Sequence, residues 1–321
     1  MAHSDADMDI SIVLATYNRA ANLQTTLETL ATQVVSSNLS WELLVVDNNS
    51  TDGTRNVVKN FAEASYFPVR YIFEKNQGRT YALNRGIAEA KGEIIAFTDD
   101  DVLVHCDWLA NLCKAFAQQD LIALAGRVLP LWNHPKPDWL EMNGQFAVVN
   151  FDLGGDAREI TIPPLGANSA FRRDVFEKYG LFREDLGVCG NKHTITCDDT
   201  EFGERLIRAK EKIFYCPEAI IYHPVDPQRT TKKYFLTWYY YNGVSLTRTF
   251  GVPQDGVFWF GVPRWLYREF LGNAVKWLCT LQPIRRFHHK LRTYRSLGNI
   301  VESYRLSRAQ NVNADSCRTA A

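Results

Sequence analysis

Long hydrophobic runs, net charge and paired cysteines are all missing from this chain of 321 residues. No stretch of about 20 uninterrupted apolar residues occurs, so a membrane-spanning helix is not expected. Lys plus Arg and Asp plus Glu both total 36, so the whole-chain field gives no sign of a nucleic-acid partner. The seven cysteines include no C-x-x-C pair, which argues against a disulfide framework and a zinc knuckle and fits a reducing cytosol. The first residues, MAHSDADMD, are acidic and carry neither the basic nor the apolar region of a secretory signal. Internal repeats and low-complexity segments are absent as well. What is there, 46% hydrophobic and 22% charged residues, is the composition of a globular protein with a large core. The length permits two domains, or one α/β domain with extensions.

The pattern then alternates. Residues 9–16 and 41–46 are apolar runs of strand length, the second ending in Asp47, and 69–73 and 94–97 are two more. Between the first two, Leu23, Leu27 and Leu30 recur at helical spacing. The segment DNNSTDGT is dense in turn formers, with Asp52 or Thr54 placed to cap a helix through Phe61. Asn76, Gln77 and Gly78 turn the chain into a helix over 80–90. Strands alternating with helices of roughly 10 to 15 residues predict βαβ units, hence an α/β fold with a Rossmann-like, mainly parallel sheet flanked by helices. Further on, Trp108, Leu109, Leu112 and Phe116 form a helical core stripe and 121–129 reads as a strand. Residues 130–156, rich in Pro, Gly, Asn and Trp, read as loops crossing the active face. Order resumes at 167–171, with helices expected over 173–179 and 199–209 and two short strands over 213–215 and 219–222.

The chemistry gathers around GEIIAFTDDDVLV, residues 92–104. An apolar strand delivers Asp99, Asp100 and Asp101 to its carboxyl end, where an open α/β sheet keeps its ligands. Successive strand residues face opposite sides, so Asp99 and Asp101 are able to point together while Asp100 points away. Two carboxylates aimed at one spot repel unless a cation neutralises them, and oxygen ligands suit magnesium or manganese. A solvated acidic turn is the plainer alternative.

Five motifs in order resemble an inverting family 2 glycosyltransferase with the A-type glycosyltransferase fold. They are SIVLATYNR, LLVVDNNSTDGT, NQGRTYALNRGIAEAKGEIIAFTDDD, LGANSAFRRDVFEKYGLF and CDDTEFGERLIRAKEKIFYCPEAIIYH, and the resemblance covers roughly residues 10–224. The resemblance implies a nucleoside-diphosphate sugar donor, a glycan or lipid-linked acceptor, and a divalent metal, Mn2+ or Mg2+. It places Thr16, Tyr17 and Asn18 beside the nucleotide and Asp47 at the base or ribose, where a carboxylate accepts a pyrimidine imide N–H; Asp47 as a turn cap is the other reading. It brings Gly78, Arg79 and Asn84 to the nucleotide sugar, with the helix N-terminus after Gly78 facing phosphate; packing alone also explains Ala82, Asn84 and Gly86. Asp101 becomes the firmer metal ligand, Asp99 is shared between ribose and metal, and Asp100 lies in the same donor-binding motif.

The segment Gly166, Ala167, Asn168, Ser169 resembles the family's acceptor-side stretch, with Asn168 beside the sugar. Asp198 and Asp199 stand where the family commonly has a Glu-Asp pair whose Asp is the catalytic base. The first position departs from that pattern, and Asp199 keeps it. Charge compensation at a helix N-terminus would also explain Asp198, Asp199 and Glu201. His223, after the last apolar strand, is permitted as a third metal ligand or as a structural histidine.

Beyond residue 230 the resemblance weakens. Tyr234, Phe235, Trp238 and Tyr239 to Tyr241 form an aromatic cluster, and Leu266, Phe270, Ala274, Trp277 and Leu281 recur at helical spacing. Between Arg264 and Arg295 there are eight Lys or Arg against one acid, Glu269. A basic, aromatic, amphipathic extension fits an anionic membrane surface, a helical cap on the catalytic domain, or an oligomer contact. The expected organisation is a catalytic domain over 9–230, a helical region over 231–308 and a disordered tail over 309–321. The expected protein is a cytoplasmic, peripheral sugar transferase. A metal-dependent nucleotidyltransferase is disfavoured because TYNRAAN lacks a glycine-rich phosphate loop, and a non-catalytic carbohydrate-binding protein because both acidic clusters persist.

Overall fold

A computed structural model describes residues 8–118, 121–140, 145–190, 195–252 and 256–319. In chain order the elements of the sheet-forming part are β1 (Met8–Thr16), α1 (Ala20–Leu30), β2 (Trp41–Asp47), α2 (Thr54–Ala64), β3 (Val69–Phe73), α3 (Arg79–Glu89) and β4 (Gly92–Thr98). They continue with β5 (Leu103–Val104), α4 (Trp108–Gln118), β6 (Ala123–Leu131), β7 (Arg158–Ile160), β8 (Asn168–Arg172), α5 (Asp174–Tyr179), α6 (Asp198–Arg208) and β9 (Ile213–Pro224). The C-terminal part holds α7 (Lys232–Phe250), β10 (Phe258–Trp259), β11 (Val262–Pro263), α8 (Arg264–Cys279) and α9 (Pro283–Thr319).

Strands β1 to β9 form one sheet in the order β3-β2-β1-β4-β8-β6-β9-β5, with β7 also on β9, and β10 and β11 form a separate hairpin. The first four are parallel, as right-handed βαβ crossovers require. β2 is buried along its whole length, which is why WELLVVD reads as a continuous apolar run rather than an alternating one. The second half is mixed. β8 runs antiparallel to β4, and β6 antiparallel to β8. Two reversals restore the original direction, so β6 and its parallel neighbour β9 point the same way as β4. The carboxyl ends of β4 and β9 therefore reach one edge of the sheet, and the start of β8 lies at that edge too. β5 locks the arrangement, because Leu103, two residues past Asp101, pairs with Tyr222, one residue before His223.

The expected pair of short strands over 213–215 and 219–222 is a single strand. β9 carries an irregularity in its ladder with β6, where Gly126 pairs with Cys216 and the next residue, Arg127, with Ile220. Pro217 has no N–H for a ladder, and the extra residues are absorbed as a bulge. Behind the site, Phe97, Phe171, Phe176, Phe182 and Phe202 form an aromatic cluster with ring centroids 4.9 to 6.0 Å apart. Gly86 of α3 packs directly on β1: a Cβ there would meet Val13 Cγ1 at 2.3 Å. Packing thus accounts for Gly86.

Chain contacts divide the molecule into two compact units. The first takes the described residues within Met1–Asn133, Val149–His193 and Asp198–Val225; the second takes those within His134–Val148, Thr194–Cys197 and Asp226–Ala321. The region expected as active-face loops, 130–156, is thus split between them. Within the second unit α7 and α9 touch backbone to backbone, since a Cβ on Gly298 would lie 2.1 Å from Tyr240 O and one on Gly243 2.1 Å from Arg295 O. Arg248 of α7 pairs with the buried Glu302 of α9 at 2.8 Å. Trp139 packs edge-on against Phe235 and Phe287. α9 continues as helix to Thr319, where the sequence suggested a tail without structure; positions 320 and 321 lie outside the described residues.

Candidate active site

The acidic triplet alternates as a strand end should. Asp100 turns back toward β1, where its carboxylate accepts from Thr16 Oγ1 at 2.7 Å and from Arg19 Nη1 at 2.9 Å. One carboxylate oxygen of Asp99, one of Asp101 and one imidazole nitrogen of His223 lie within 4.8 Å of one another, and Asp101 also accepts from Arg19 Nη1 at 2.9 Å. Thr16 and Asp100 are both buried. The two expected donor contacts are therefore engaged with each other, one bracing the strand end and the other holding Arg19. Burial pushes the Asp100 carboxyl up to about 6, with the Arg19 charge opposing and Asp101 adding to the rise. Burial pulls the Arg19 pKa down, but the carboxylates of Asp100 and Asp101 outweigh it and the net direction is up.

His223 settles how the site is wired. Its Nδ1 lies 3.2 Å from Pro224 O, and a carbonyl only accepts, so Nδ1 carries a hydrogen in this contact. Its Nε2 faces Asp101 Oδ1 at 3.3 Å. A neutral imidazole in that tautomer presents a bare lone pair to a carboxylate, which is repulsive unless a cation or a proton sits between them. A backbone carbonyl holding one ring nitrogen while the other ligates is the usual support for a metal-bound histidine. Two carboxylates and one imidazole fit a divalent ion, with manganese more tolerant of the nitrogen than magnesium.

The second acidic cluster opens α6. Asp198 accepts from Arg79 Nη1, and Arg79 Nη2 reaches Asp99 at 3.0 Å, so one guanidinium ties both clusters together. Asp199 accepts from the Gly166 N–H at 2.8 Å through one oxygen and from the Thr200 N–H at 2.7 Å through the other. Burial raises the Asp199 pKa first, and the Asp198 charge raises it further; Gly166 and Arg79 pull the other way without cancelling the rise. The position at a helix N-terminus would favour the ionised form, but burial and the like charge dominate. A Cβ on Gly166 would sit 3.1 Å from Arg79 Nη2 and 3.3 Å from Asp199 Oδ2, so a side chain there would crowd both groups.

Beside the strand ends, a cavity of about 530 Å³ is lined by Asp47, Ser50, Thr51, Arg55, Tyr71 and Phe73, among others. Asp47 accepts from Ser50 N at 2.9 Å and from Tyr71 Oη at 2.7 Å. Burial, followed by the Asp47 contact, pushes the Tyr71 phenol up to about 12. Arg55 lies over the Tyr71 ring at 5.7 Å. Asn18, with φ of 51°, accepts from Thr51 N and donates its own N–H to Ser50 Oγ, so it fastens the cavity wall to the β1 turn. Tyr17 follows β1 at the same edge and remains partly exposed.

Three expected donor contacts have other partners. The Asn168 side chain is fully buried, accepts from Trp108 Nε1 and donates to Arg127 O and Ala219 O; it staples the sheet, with both of its N–H groups engaged. Asn84 is used in the same way, exchanging two hydrogen bonds with the Phe182 backbone. At the start of α3 the Gly78 N–H goes to Asn48 Oδ1 and the Arg79 N–H to Val188 O, so these two donors are not presented to a phosphate. Arg79 itself stays in the site through its side chain.

Residues 11–180 match the family model for glycosyl transferase family 2. The chain belongs to this family. It is a glycosyltransferase with the A-type fold. Curated relatives include the glucosyl-dolichyl phosphate glucuronosyltransferase of Haloferax volcanii, 24% identical over 74% of this chain and 76% of that one. Another is the O-antigen chain rhamnosyltransferase RfbN of Salmonella typhimurium, 27% identical over 84% of this chain and 88% of that one. Among solved structures, the mannosyltransferase PcManGT from Pyrobaculum calidifontis, in complex with GDP-Man and Mn2+, aligns over 97% of this chain and 80% of its own with a TM-score of 0.55 and 19% identity.

For this glycosyltransferase, sequence reasoning missed Arg19, the Arg79–Asp198 pair and Tyr71. Arg19 stands inside the quoted SIVLATYNR, and a lone arginine immediately after a strand end was the available signal. Its partners lie more than 80 positions away, so no local pattern marks them.

Proposed function

We propose that the chain transfers a sugar, with inversion at the anomeric carbon, from a nucleoside-diphosphate sugar to a glycan or lipid-linked acceptor. The observation that carries the reading is the convergence of Asp99, Asp101 and His223 with a histidine nitrogen aimed at a carboxylate. Asp99, Asp101 and His223 would hold a divalent ion, Mn2+ or Mg2+, and that ion, when bound, neutralises charge on a diphosphate leaving group. PcManGT, solved with GDP-Man and Mn2+, is consistent with this donor set. The Asp47 and Tyr71 wall takes the nucleoside, with Asp47 accepting from a base or ribose donor.

Arg19 and Arg79 are the cations beside the strand-end acids. In the absence of donor they hold carboxylates, and a diphosphate brought to the edge offers them equivalent oxygens. Asp199 is the general base: it lies across Gly166 from Arg79 and, once ionised, removes the acceptor hydroxyl's proton as the new bond forms. The relatives that act in O-antigen and dolichyl phosphate chemistry support a cell-surface glycan or lipid-linked acceptor.

The test is a thermal-shift screen of nucleotide sugars with and without Mn2+. Donor at 100 times its dissociation constant should add about 2.7 kcal/mol, and only with the metal present. Tight donor binding and full turnover in excess chelator would overturn the metal assignment, while a retained anomer in the product would overturn inversion.

A further inference from the structure

Twelve of the nineteen exposed large hydrophobic side chains among the described residues lie between Phe250 and Tyr304. They are ordered, not scattered. On α8, the half-buried Tyr267 and the exposed Leu271, Val275 and Leu278 follow at i, i+4, i+8 and i+11, one line along a helix of about 24 Å. Leu266 and Asn273 hold the opposite, buried side. Trp259 of the β10–β11 hairpin stands against Tyr267 with ring centroids 6.2 Å apart, so the hairpin extends the same line. The outward side of α8 also carries Arg268 and Lys276, and Arg285 and Arg286 are exposed at the start of α9.

The hairpin tip is the sharper observation. Trp259 pairs with Val262 across a two-residue turn, and both turn residues have positive φ, 52° at Phe260 and 76° at Gly261. That is the type I′ geometry, whose first position favours Asn, Asp or Gly. A bulky aromatic in the left-handed region is an outlier. Here the ring is 86% exposed, so packing within the fold does not compensate the unfavourable backbone. An outlier of this kind points to a use outside the folded chain.

We infer that the hairpin tip and the outward line of α8 form a docking surface for an anionic lipid bilayer, with Trp259, Phe260, Leu271 and Leu278 entering the headgroup boundary. The charge of the region selects this occupant: Arg268, Lys276, Arg285 and Arg286 are exposed beside the apolar line and Glu269 is the one acid between Arg264 and Arg295, a balance that repels a second copy of the same surface and attracts anionic headgroups. No helix among the described residues is long and apolar enough to cross a membrane, so the surface lies on the bilayer rather than in it. The inference does not depend on the donor, the metal or the base proposed above.

The full chain is to be sedimented with vesicles of phosphatidylcholine alone and of phosphatidylcholine with phosphatidylserine, at low and high salt. Binding is expected only to the anionic vesicles and is expected to weaken with salt. Phe260→Asn with Leu278→Ser should lower the partition coefficient at least about tenfold, with the thermal midpoint not lowered and donor turnover retained. Absence of binding to anionic vesicles at low salt overturns the inference, as does binding that the double variant leaves unchanged. So does sedimentation equilibrium showing a dimer that the double variant dissociates, which would give the surface to a second copy.

Discussion

The carboxyl edge of the sheet and the outward side of α8 depart from ordinary folding preferences in opposite directions. At the sheet edge, five aspartates crowd against two arginines and a histidine, and Asp100, Asp198 and His223 among them are buried. On α8, aliphatic side chains that a core would accept are turned to solvent. Each arrangement costs free energy in the isolated protein. Charge gathered under burial makes sense when a ligand of opposite charge arrives, and hydrocarbon shown to water makes sense when water is not the final neighbour. The two regions thus point to different partners, a hydrophilic donor with its cation and an amphiphilic surface, and changes in one should leave the other's partner untouched.

The largest effect that would break this contrast is at Asp101. Asp101→Asn removes one of the two carboxylates facing His223, and turnover is expected to fall about a thousandfold or more, matched by chelator treatment of the unaltered protein. Activity of the variant within tenfold would remove the metal from the account.

Next is Asp199. Asp199→Asn should lower kcat at least about a hundredfold while donor affinity stays within severalfold. A base must be ionised, so activity falls as pH drops through the Asp199 pKa, and because that pKa is raised the limb lies above the ordinary carboxylate value of about 4. Asp198→Asn removes a like charge, the second cause of the rise, and should move the limb to lower pH in a kcat/KM profile. A limb unmoved by Asp198→Asn, or absent from the parent profile, would take the base role from Asp199.

The contrast also explains what the sequence made legible. Strand runs such as WELLVVD and the placing of Asp99 to Asp101 at a strand end follow from periodicity within a dozen residues, and these parts of the fold were readable. The strand-end acids were readable as candidates for the same reason, and His223 only through the family resemblance. Which of them face each other was not, because Asp101 meets His223 only through the double reversal β4-β8-β6-β9. Asn168 and Asn84 were candidates because the motifs that contain them resemble the family's donor and acceptor segments. Their jobs as buried staples depend on Trp108, Arg127, Ala219 and Phe182, all distant in sequence. On α8 the spacing of Leu266, Phe270 and Trp277 was plain, but spacing alone gave no way to see that the equally apolar Leu271, Val275 and Leu278 face outward.

A smaller effect sharpens the comparison within one helix. Leu266 is 2% exposed and Leu278 is 67% exposed. Leu266→Ala should cost about 2–5 kcal/mol of unfolding free energy, as burial and a residual cavity require. Leu278→Ala should stay within about 0.5 kcal/mol in buffer. Urea unfolding followed by far-UV circular dichroism distinguishes them. Equal costs would mean that Leu278 is covered in solution, and the outward line would then belong to an interface between proteins.

The smallest expected effect has an unusual sign. Phe260 occupies the first position of a two-residue turn at φ of 52°, where a left-handed backbone costs an ordinary L-residue roughly 1–2 kcal/mol and asparagine less, because its short polar side chain bonds locally. With 86% of the residue exposed, replacing the ring sacrifices little burial. Phe260→Asn should therefore raise the unfolding free energy in buffer, by a few tenths to about 1 kcal/mol, while weakening adsorption to anionic vesicles. A side chain retained for the fold would show the reverse sign, so the denaturation midpoint of this one variant decides between them. If Asn lowers the midpoint, the ring supports the hairpin and its exposure has no partner to explain; if Asn raises it and vesicle binding falls, the unfavourable backbone at the tip is the cost of displaying an aromatic ring to a bilayer.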